Sequence, residues 1–208
     1  MVKLLKGVFV LLVILAALAL VGRIFVFQLG RTQSYSMVPN LVAGDLFAVL
    51  TVGRTDLGEI AVCEDPERPG MMVVLRVMGI PGQTVSFRRN GIRIDGRPVH
   101  HEYSDPLLYV DRTSGEELSY AVHVAREHVG GRRFEVALMD RAGGRDHDAV
   151  TVPDGHFFLV GDNRNMARDS RHFGPVPIGS CVGRAAFLIW PGDDSGDLTF
   201  RDRMLSWL

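Results

Sequence analysis

The first 27 residues constrain this chain most, because they contain a long apolar run. Gly7 to Gly22 holds no charged side chain, and the apolar character continues past Arg23 to Phe27. A helix needs about 20 apolar residues to cross a bilayer core, and an arginine near its end can extend toward the head groups. Lys3 and Lys6 precede the run, and the positive-inside rule keeps such a terminus in the cytoplasm. The sequence therefore predicts a cytoplasmic stub and one transmembrane anchor in the inner (cytoplasmic) membrane, with the main domain periplasmic or extracytoplasmic.

The same segment also has features of a cleaved secretory signal. A basic start is followed by an apolar stretch, and Ala17 and Ala19 are small residues at the spacing of a cleavage site. We favour the uncleaved anchor because the apolar residues run on to Phe27. Under both interpretations, the rest of the chain is exported across the membrane.

Composition limits the partners and the chemistry of the exported part. The formal net charge of the 208 residues is −1, which gives no indication of a nucleic-acid partner. Lys3 and Lys6 are the only lysines among 23 lysine and arginine residues. Arginine stays protonated in proteins, so the chain after the apolar run has no amine side chain that can accept a proton.

Short apolar, β-branched runs separated by turn residues predict a mostly β fold after the anchor. The runs are Leu46–Val52, Glu59–Cys63, Met71–Met78, Thr84–Arg88, Ile92–Ile94, His156–Val160 and Cys181–Trp190. Asn90-Gly91, between two of these runs, predicts a β-hairpin. No stretch in this part has a 3.6-residue period of helical length.

The strand-like runs fall into two groups that bracket a poorly patterned segment. We expect residues 28–98 and 149–192 to form one β core. Residues 99–148, rich in His, Arg, Asp and Gly, are expected to form a small inserted, solvent-facing subdomain. Residues 193–208 are predicted to be a polar C-terminal tail.

The two cysteines give no indication of a metal or cofactor. Cys63 and Cys181 lie in apolar strand-like runs, where a free cysteine behaves as a small hydrophobe. An oxidising compartment would let them pair, and spacing alone does not establish the geometry that a disulfide needs. Two distant cysteines supply too few ligands for a metal, so we expect neither a metal nor a cofactor.

A serine-rich block directly follows the anchor. It reads Ser34-Tyr35-Ser36-Met37-Val38-Pro39-Asn40-Leu41, with Gly44-Asp45 shortly after. A Ser-x-Ser pair before a proline is by itself typical of a capped turn. The whole block resembles the nucleophile box of bacterial type I signal peptidases, Ser-x-Ser-Met-x-Pro-Thr-Leu. That resemblance implies that Ser36 is the nucleophile and that Ser34, with the N–H of Ser36, forms the oxyanion hole.

Further blocks resemble the same family in order and spacing. Gly58-Glu59-Ile60-Ala61-Val62 is similar to a family strand, and the stretch from Gly161-Asp162-Asn163-Arg164 to Val176-Pro177 follows the last family signature. The resemblance implies a signal-peptidase-like antiparallel β core with a small inserted subdomain. It also implies that Asp169 and Arg171 form an ion pair that supports the site, and Arg76 matches another family residue there.

The block that should supply the catalytic base departs from the family. Where the family has Lys-Arg-Val-x-Gly-x-Pro-Gly, this chain has Leu75-Arg76-Val77-Met78-Gly79-Ile80-Pro81-Gly82. A serine hydroxyl is a weak nucleophile until a base takes its proton, and leucine cannot accept one. The family serine that hydrogen-bonds the lysine falls at Ala167. A leucine and an alanine there predict an apolar repacking of the site.

Histidine is the remaining candidate for a base, because imidazole can accept a proton near neutral pH. His172 follows Asp169 closely, but it occupies a position that is usually aromatic in the family, and His156 matches a packing residue. The other histidines are His100, His101, His123, His128 and His147, which are expected to be exposed in the inserted subdomain. We do not expect any of them to replace the lysine.

Two functions from different classes follow from the resemblance. The first is a membrane serine endopeptidase that removes signal peptides from exported preproteins, with Ser36 attacking by an atypical route. The second is a catalytically inactive relative that binds signal peptides or pilin-like precursors as a chaperone or assembly factor, with a partner protein. In both, the peptide would lie as an extended strand in a groove, with small side chains at the −1 and −3 positions, beside the lipid bilayer. A soluble self-cleaving repressor is disfavoured, because the chain has an anchor and no DNA-binding helix pair.

Overall fold

The computed structural model describes residues 2–88, 91–111, 118–138, 146–192 and 205–208. The chain begins with a helix, α1, over Val2–Phe25, and a one-turn helix, α2, covers Ser170–Phe173. Between and after them lie short strands, which in chain order are β1 Phe27–Arg31, β2 Leu46–Leu50, β3 Ile60–Glu64, β4 Met72–Gly79, β5 Thr84–Arg88, β6 Gly91–Ile94, β7 Arg97–Pro98, β8 His101–Asp111, β9 Leu118–Val129, β10 Arg132–Leu138, β11 His147–Thr151, β12 His156–Val160, β13 Val176–Pro177, β14 Cys181–Trp190 and β15 Ser206–Trp207. A 3₁₀ turn covers Ile178–Ser180.

Helix α1 carries large apolar side chains that no other described residues cover. Leu5, Phe9 and Leu18, for example, are 76%, 68% and 63% exposed. Within the described residues, no helix combines the length and the hydropathy needed to span a membrane. The transmembrane anchor therefore stays a prediction.

Three antiparallel sheets build the rest of the chain, as the mostly β prediction requires. The largest has the order β1-β2-β14-β3-β4-β12-β13, and β15 pairs with β14. A second sheet has the order β11-β5-β6-β7, and a third has the order β10-β9-β8. The predicted strand runs are confirmed, and so is the hairpin, in which Arg88 pairs with Gly91. The turn residues 89–90 lie outside the described part of the chain.

Two apolar clusters lie on the sheets. The first contains Leu75 with residues of β2, β3 and β14, including Phe47, Ile60 and Leu188. The second joins β5 and β12 to the three-stranded sheet, with Phe158 packed among its buried members. Because the first cluster covers β3, four of the five residues of that strand are buried rather than every second one.

The segment expected to be an unpatterned, solvent-facing insertion contains the long strands β8, β9 and β10. Ala125, Val129 and Val136 bury their side chains in the second apolar cluster. The sequence hides this pattern because a charged residue, Glu127, occupies a buried position of β9. His101 also departs from the expected exposure, because its side chain is only 14% exposed.

The described part of the tail, residues 205–208, contains β15, which joins the main sheet. Residues 193–204 lie outside the described part, so the prediction of a polar tail is not tested there. Ser206 and Trp207 pair with Leu188 and Phe187 of β14. The rings of Phe187 and Trp207 contact each other edge to face, with centroids 5.2 Å apart.

The cysteines form a disulfide. Cys63 and Cys181 face each other in the β3–β14 pair, with their sulfur atoms 2.09 Å apart. The sequence alone does not decide between a disulfide and two free thiols, and the apolar surroundings of both cysteines favoured free thiols. Pairing in the sheet brings the two residues together across 118 positions of the chain.

Reduction of this disulfide should destabilise the protein by about 2–5 kcal/mol, because a cross-link over so long a loop restricts the unfolded chain. The free energy of unfolding, measured by urea titration with and without reductant, tests this. The double variant Cys63→Ala/Cys181→Ala is the control and should not respond to reductant. Equal unfolding midpoints for the wild type in both conditions would contradict the prediction.

Candidate active site

The predicted nucleophile lies in a turn held from two sides. On one side, the hydroxyl of Thr32, a buried residue, accepts a hydrogen bond from the N–H of Ser34 at 3.2 Å. On the other side, Asn163 donates its backbone N–H to the carbonyl of Ser36 at 2.9 Å. Its side-chain amide also donates to the carbonyl of Tyr35 at 3.2 Å. The backbone on which Ser36 is mounted is therefore fixed by the 161–171 segment.

Ser34 and Ser36 bond to each other twice. The Ser34 hydroxyl donates to the Ser36 hydroxyl at 2.9 Å and accepts from the Ser36 N–H at 3.1 Å. The N–H that an oxyanion hole would offer is thus engaged with a neighbouring hydroxyl. A substrate carbonyl could use that N–H only by competing with the Ser34 oxygen or sharing the donor with it.

Leu75 and Ala167 are both buried near this turn. Leu75 is 1% exposed and lies opposite Ala61 in the β3–β4 pair. Ala167 is 3% exposed. A methyl group added at Gly161 would come within 2.2 Å of the Ala167 Cβ and 2.5 Å of the Ser36 carbonyl oxygen. This close packing leaves Gly161 no room for a side chain and places Ala167 beside the backbone of Ser36.

A groove of about 630 Å³ passes over Ser34, Ser36 and Leu75, and we call it the serine groove. Its walls are formed by residues 32–36, 71–75, Arg68, Met166 and Arg168. The lining therefore contains two arginines and no lysine, histidine or carboxylate. Both arginines are already paired, since Asp65 lies 2.7 Å from Arg68 and 3.4 Å from Arg168.

Within the part of the chain that the structure describes, one wall of the serine groove is an unpaired strand edge. Strand β4 pairs with β3 along Met72 to Arg76, but its pairing with β12 stops at Arg76. The N–H of Val77 and the carbonyl of Met71 bond toward the β3 side. Because backbone groups of alternate residues point the same way, those of Met72 and Val74 point to the unpaired edge. An extended peptide could bond to that edge as an additional strand.

Arg76 belongs to a buried ion pair beneath the site. Its guanidinium donates to both carboxylate oxygens of Asp162, at 2.8 and 2.7 Å, and the two side chains are 3% and 1% exposed. It also donates to the carbonyl of Gly58 at 2.7 Å and stacks over the Phe134 ring. Asn40 donates to the same Asp162 carboxylate at 2.7 Å, which ties the serine turn to this pair.

Asp169 and Arg171 form a second ion pair. Arg171 donates to both oxygens of Asp169 at 2.8 and 2.7 Å, and the Asp169 side chain is fully buried. Asp169 also accepts from the N–H of Gly161 at 2.9 Å and caps helix α2. The pair therefore closes the 161–171 segment into a loop that carries Asn163 and Ala167.

The histidines do not line the serine groove. His172 lies 3.8 Å from Asp169, where its ring takes part in the cap of α2. The Nδ1 atom of His156 lies 2.9 Å from the carbonyl of Asp154. Among the described residues, the Ser34 hydroxyl is the side-chain partner of the Ser36 hydroxyl.

Comparison with known proteins places the chain in a family. A family model described as signal peptidase, peptidase S26, matches residues 5–190. The chain belongs to this family. Signal peptidase I of Streptococcus pneumoniae serotype 4 is 29% identical over 195 residues, which cover 89% of this chain and 91% of that protein. Probable signal peptidase I-1 of Synechocystis sp. is 30% identical over 200 residues, covering 90% of this chain and 84% of that protein.

A crystal structure of a signal peptidase I from Enterococcus faecalis V583 also aligns with this member of the signal peptidase family. Its TM-score is 0.42 at 22% sequence identity. The alignment covers 64% of this chain and 97% of that chain.

A buried ion pair between Arg164 and Glu127 was not predicted from the sequence. Arg164 donates to both oxygens of Glu127 in β9, at 2.6 Å for Oε1, and both side chains are buried. His101 Nε2 lies 2.7 Å from Glu127 Oε1. Burial alone would raise the pKa of Glu127, but the charge of Arg164, its hydrogen bonds and the close approach of the His101 ring lower it to about 2. Ala125 and Val129, two residues to either side of Glu127 on the same face of β9, were the local signal, but they do not identify the partner that a buried acid needs.

The lowered pKa predicts acid sensitivity. Glu127 stays ionised in the folded protein where the unfolded chain takes up a proton, so its stabilisation is complete above about pH 5 and is lost as the pH falls toward 2. The loss should be roughly 3 kcal/mol. Glu127→Gln should cost about 3–5 kcal/mol at pH 7, because Arg164 is left buried without its counter-charge, and should flatten the acid dependence.

Urea titrations at pH 7, 5 and 3 measure this effect. Glu135→Gln is the matched control, because Glu135 is 41% exposed and pairs with exposed Arg126. It should change the free energy of unfolding by less than about 1 kcal/mol. An equal loss of stability between pH 5 and 3 in the wild type and in Glu127→Gln would assign the acid sensitivity to other groups.

Proposed function

We propose that this chain is a membrane serine endopeptidase of the signal peptidase I type, which receives the end of a signal peptide in the serine groove. The observation that carries the proposal is the placement of Ser36 beside the unpaired edge of β4. An extended chain bonded to Met72 and Val74 would pass along the groove that holds the Ser36 hydroxyl. The substrates would be exported preproteins, with small side chains at the −1 and −3 positions.

In this proposal Ser36 attacks the scissile carbonyl and Ser34 assists the oxyanion. The attack forms a bond from the Ser36 oxygen to the carbonyl carbon and breaks the scissile C–N bond. The proton lost by the Ser36 hydroxyl passes to the amine of the released mature N-terminus. Water then hydrolyses the acyl-enzyme. The segment Asp162-Asn163-Arg164 would act as support, because it holds the Ser36 backbone rather than the reacting atoms.

The missing base sets the rate. Loss of the base from a serine hydrolase removes about 10⁴ to 10⁶ in rate, which corresponds to roughly 5–8 kcal/mol of transition-state stabilisation. The oxyanion hole and substrate binding alone can leave about 10³ to 10⁴ over the reaction in water. We therefore expect the chain to bind signal peptides and to cleave them slowly by itself.

A second candidate is favoured by Leu75 and Ala167, two buried apolar residues at the positions of the expected base and its partner. Under it, the chain binds signal peptides or pilin-like precursors without cleaving them, as a chaperone or assembly factor. A partner protein would then receive the bound segment. The two candidates share the same groove and differ only in whether Ser36 reacts.

Restoring the amine should restore turnover. We expect Leu75→Lys/Ala167→Ser to cleave a preprotein at least about 100-fold faster than the wild type, because it supplies a proton acceptor with a hydrogen-bonding partner. Leu75→Met/Ala167→Ser is the matched control: it retains an uncharged side chain at position 75 and should not gain activity. The measurement is single-turnover cleavage of a purified preprotein in detergent, with thermal unfolding to confirm that each variant is folded.

Ser36→Ala distinguishes the two candidates. Slow cleavage by the wild type that disappears in Ser36→Ala would establish the endopeptidase. Signal-peptide binding without cleavage in the wild type, and cleavage in the lysine variant, would establish the binding protein. Equal rates for the lysine and methionine variants would overturn the assignment of position 75 to the base.

We also propose that α1 anchors the chain in the membrane, because its exposed apolar side chains have no partner in the rest of the described chain. Full-length protein should then stay in the membrane pellet after alkaline washing, and a C-terminal tag should be accessible to external protease. Leu11→Arg/Ile14→Arg should move the protein toward the supernatant, because each central arginine costs about 2.5–3.5 kcal/mol. Tyr103→Arg, on an exposed strand residue, is the control. Wild-type protein in the supernatant would contradict the anchor.

A further inference from the structure

Methionines are concentrated at the mouth of the serine groove. Met71, Met72 and Met166 all line it, and they are 52%, 45% and 51% exposed. Methionine is normally among the more buried residue types, as Met37 and Met78 are here at 2% and 0% exposure. We call Met71, Met72 and Met166 the methionine rim.

The rim extends along the groove rather than marking one point of it. Met71 and Met72 lie three and four residues before Leu75, which corresponds to about 10–13 Å along an extended chain. Met166 precedes Ala167, which packs beside the Ser36 backbone. A peptide lying along the open edge of β4 would therefore meet rim side chains both near Ser36 and several residues away from it.

The charged groups of the groove are poor candidates for recognising such a peptide. Arg168 is paired with Asp65 and Glu67, and Arg68 is paired with Asp65. Their charges are therefore largely compensated within the chain. The apolar contacts that remain at the surface of the groove are supplied mainly by the rim.

From this arrangement we propose that the methionine rim selects apolar residues before the scissile bond: it binds apolar side chains there and tolerates differences in their shape. An unbranched thioether has three rotatable bonds and a polarisable sulfur, which lets one surface fit many apolar partners. The inference rests on the proposed function, because it assigns the occupant of the groove as the end of a signal peptide.

The rim also makes binding sensitive to peroxide. Hydrogen peroxide transfers one oxygen atom to a methionine sulfur, so the thioether is oxidised to a sulfoxide and the peroxide is reduced to water. The sulfoxide is polar and would weaken contacts with an apolar peptide. Met37 and Met78 are buried and should react more slowly.

The test measures dissociation constants of labelled signal peptides by fluorescence anisotropy. It uses the full-length chain in detergent with Ser36→Ala, so that no peptide is cleaved. The peptides differ only in the residues before the −3 position, where leucine, isoleucine, phenylalanine or valine is placed. Three variants of this parent are compared with it. The Leu variant carries Met71→Leu/Met72→Leu/Met166→Leu, and the Gln variant carries glutamine at the same three positions. Tyr103→Gln is the control, because Tyr103 is exposed and does not line the groove.

We expect the parent to bind all four peptides within about threefold of one another, and the Gln variant to bind each about tenfold more weakly. The Leu variant should bind the four peptides with a wider spread, because branched side chains adapt less. Peroxide should weaken peptide binding by the parent and should leave peptide binding by the Leu variant unchanged. Peptide mass analysis of the treated parent should show one added oxygen on each rim methionine. Tyr103→Gln should behave as the parent.

Two results would overturn the proposal, and they differ from each other. If the parent binds the peptides but the Gln variant binds them equally well, the rim has no role while the proposed function stands. If the parent binds none of the four peptides, the proposed function fails, and the rim's role fails with it.

Discussion

Three consecutive residues, Asp162, Asn163 and Arg164, hold the site together. Asp162 is paired with Arg76 of the main sheet, and Arg164 is paired with Glu127 of the three-stranded sheet. Asn163, between them, donates to the carbonyl groups of Tyr35 and Ser36. Two buried ion pairs thus fix both ends of a short segment whose centre fixes the Ser36 backbone. Buried ion pairs contribute little net stability compared with apolar packing, so their value here is in defining one position for this segment.

This framework is independent of the side chain at position 75. Arg76, Asp162, Asp169 and Arg171 bond to one another and to backbone groups, and none of these contacts involves position 75. Leu75 instead belongs to the first apolar cluster, where a neutral side chain needs no partner. The backbone of the serine groove and the position of Ser36 therefore do not depend on which side chain stands at position 75. This separation explains why peptide binding and peptide cleavage must be tested apart.

The sequence predicted the parts of the fold that depend on local pattern. Strands β2 to β6, β12 and β14 have apolar or β-branched runs bounded by turn residues, and the structure contains them. The burial of Glu127 could not be predicted from the sequence, because a carboxylate in a strand is expected to be exposed to solvent unless its partner is known, and Arg164 is distant in the chain. The same residue conceals the alternation in β9, which is why residues 99–148 lacked a strand signal. The Cys63–Cys181 bond likewise depends on the β3–β14 register, a contact between distant parts of the chain.

For the proposed cleavage reaction, the contacts of Ser34 matter as much as the leucine at position 75 does. Its hydroxyl accepts the Ser36 N–H and donates its proton to the Ser36 oxygen. A hydrogen bond donated to the Ser36 oxygen does not remove the proton of the Ser36 hydroxyl. Ser34 therefore cannot take over the role of the base. A substrate carbonyl that claims the Ser36 N–H would also have to displace the Ser34 oxygen or share the donor with it. Under the proposed function, a bound peptide would gain little oxyanion stabilisation until Ser34 turns, so the orientation of this hydroxyl would be a second determinant of the cleavage rate.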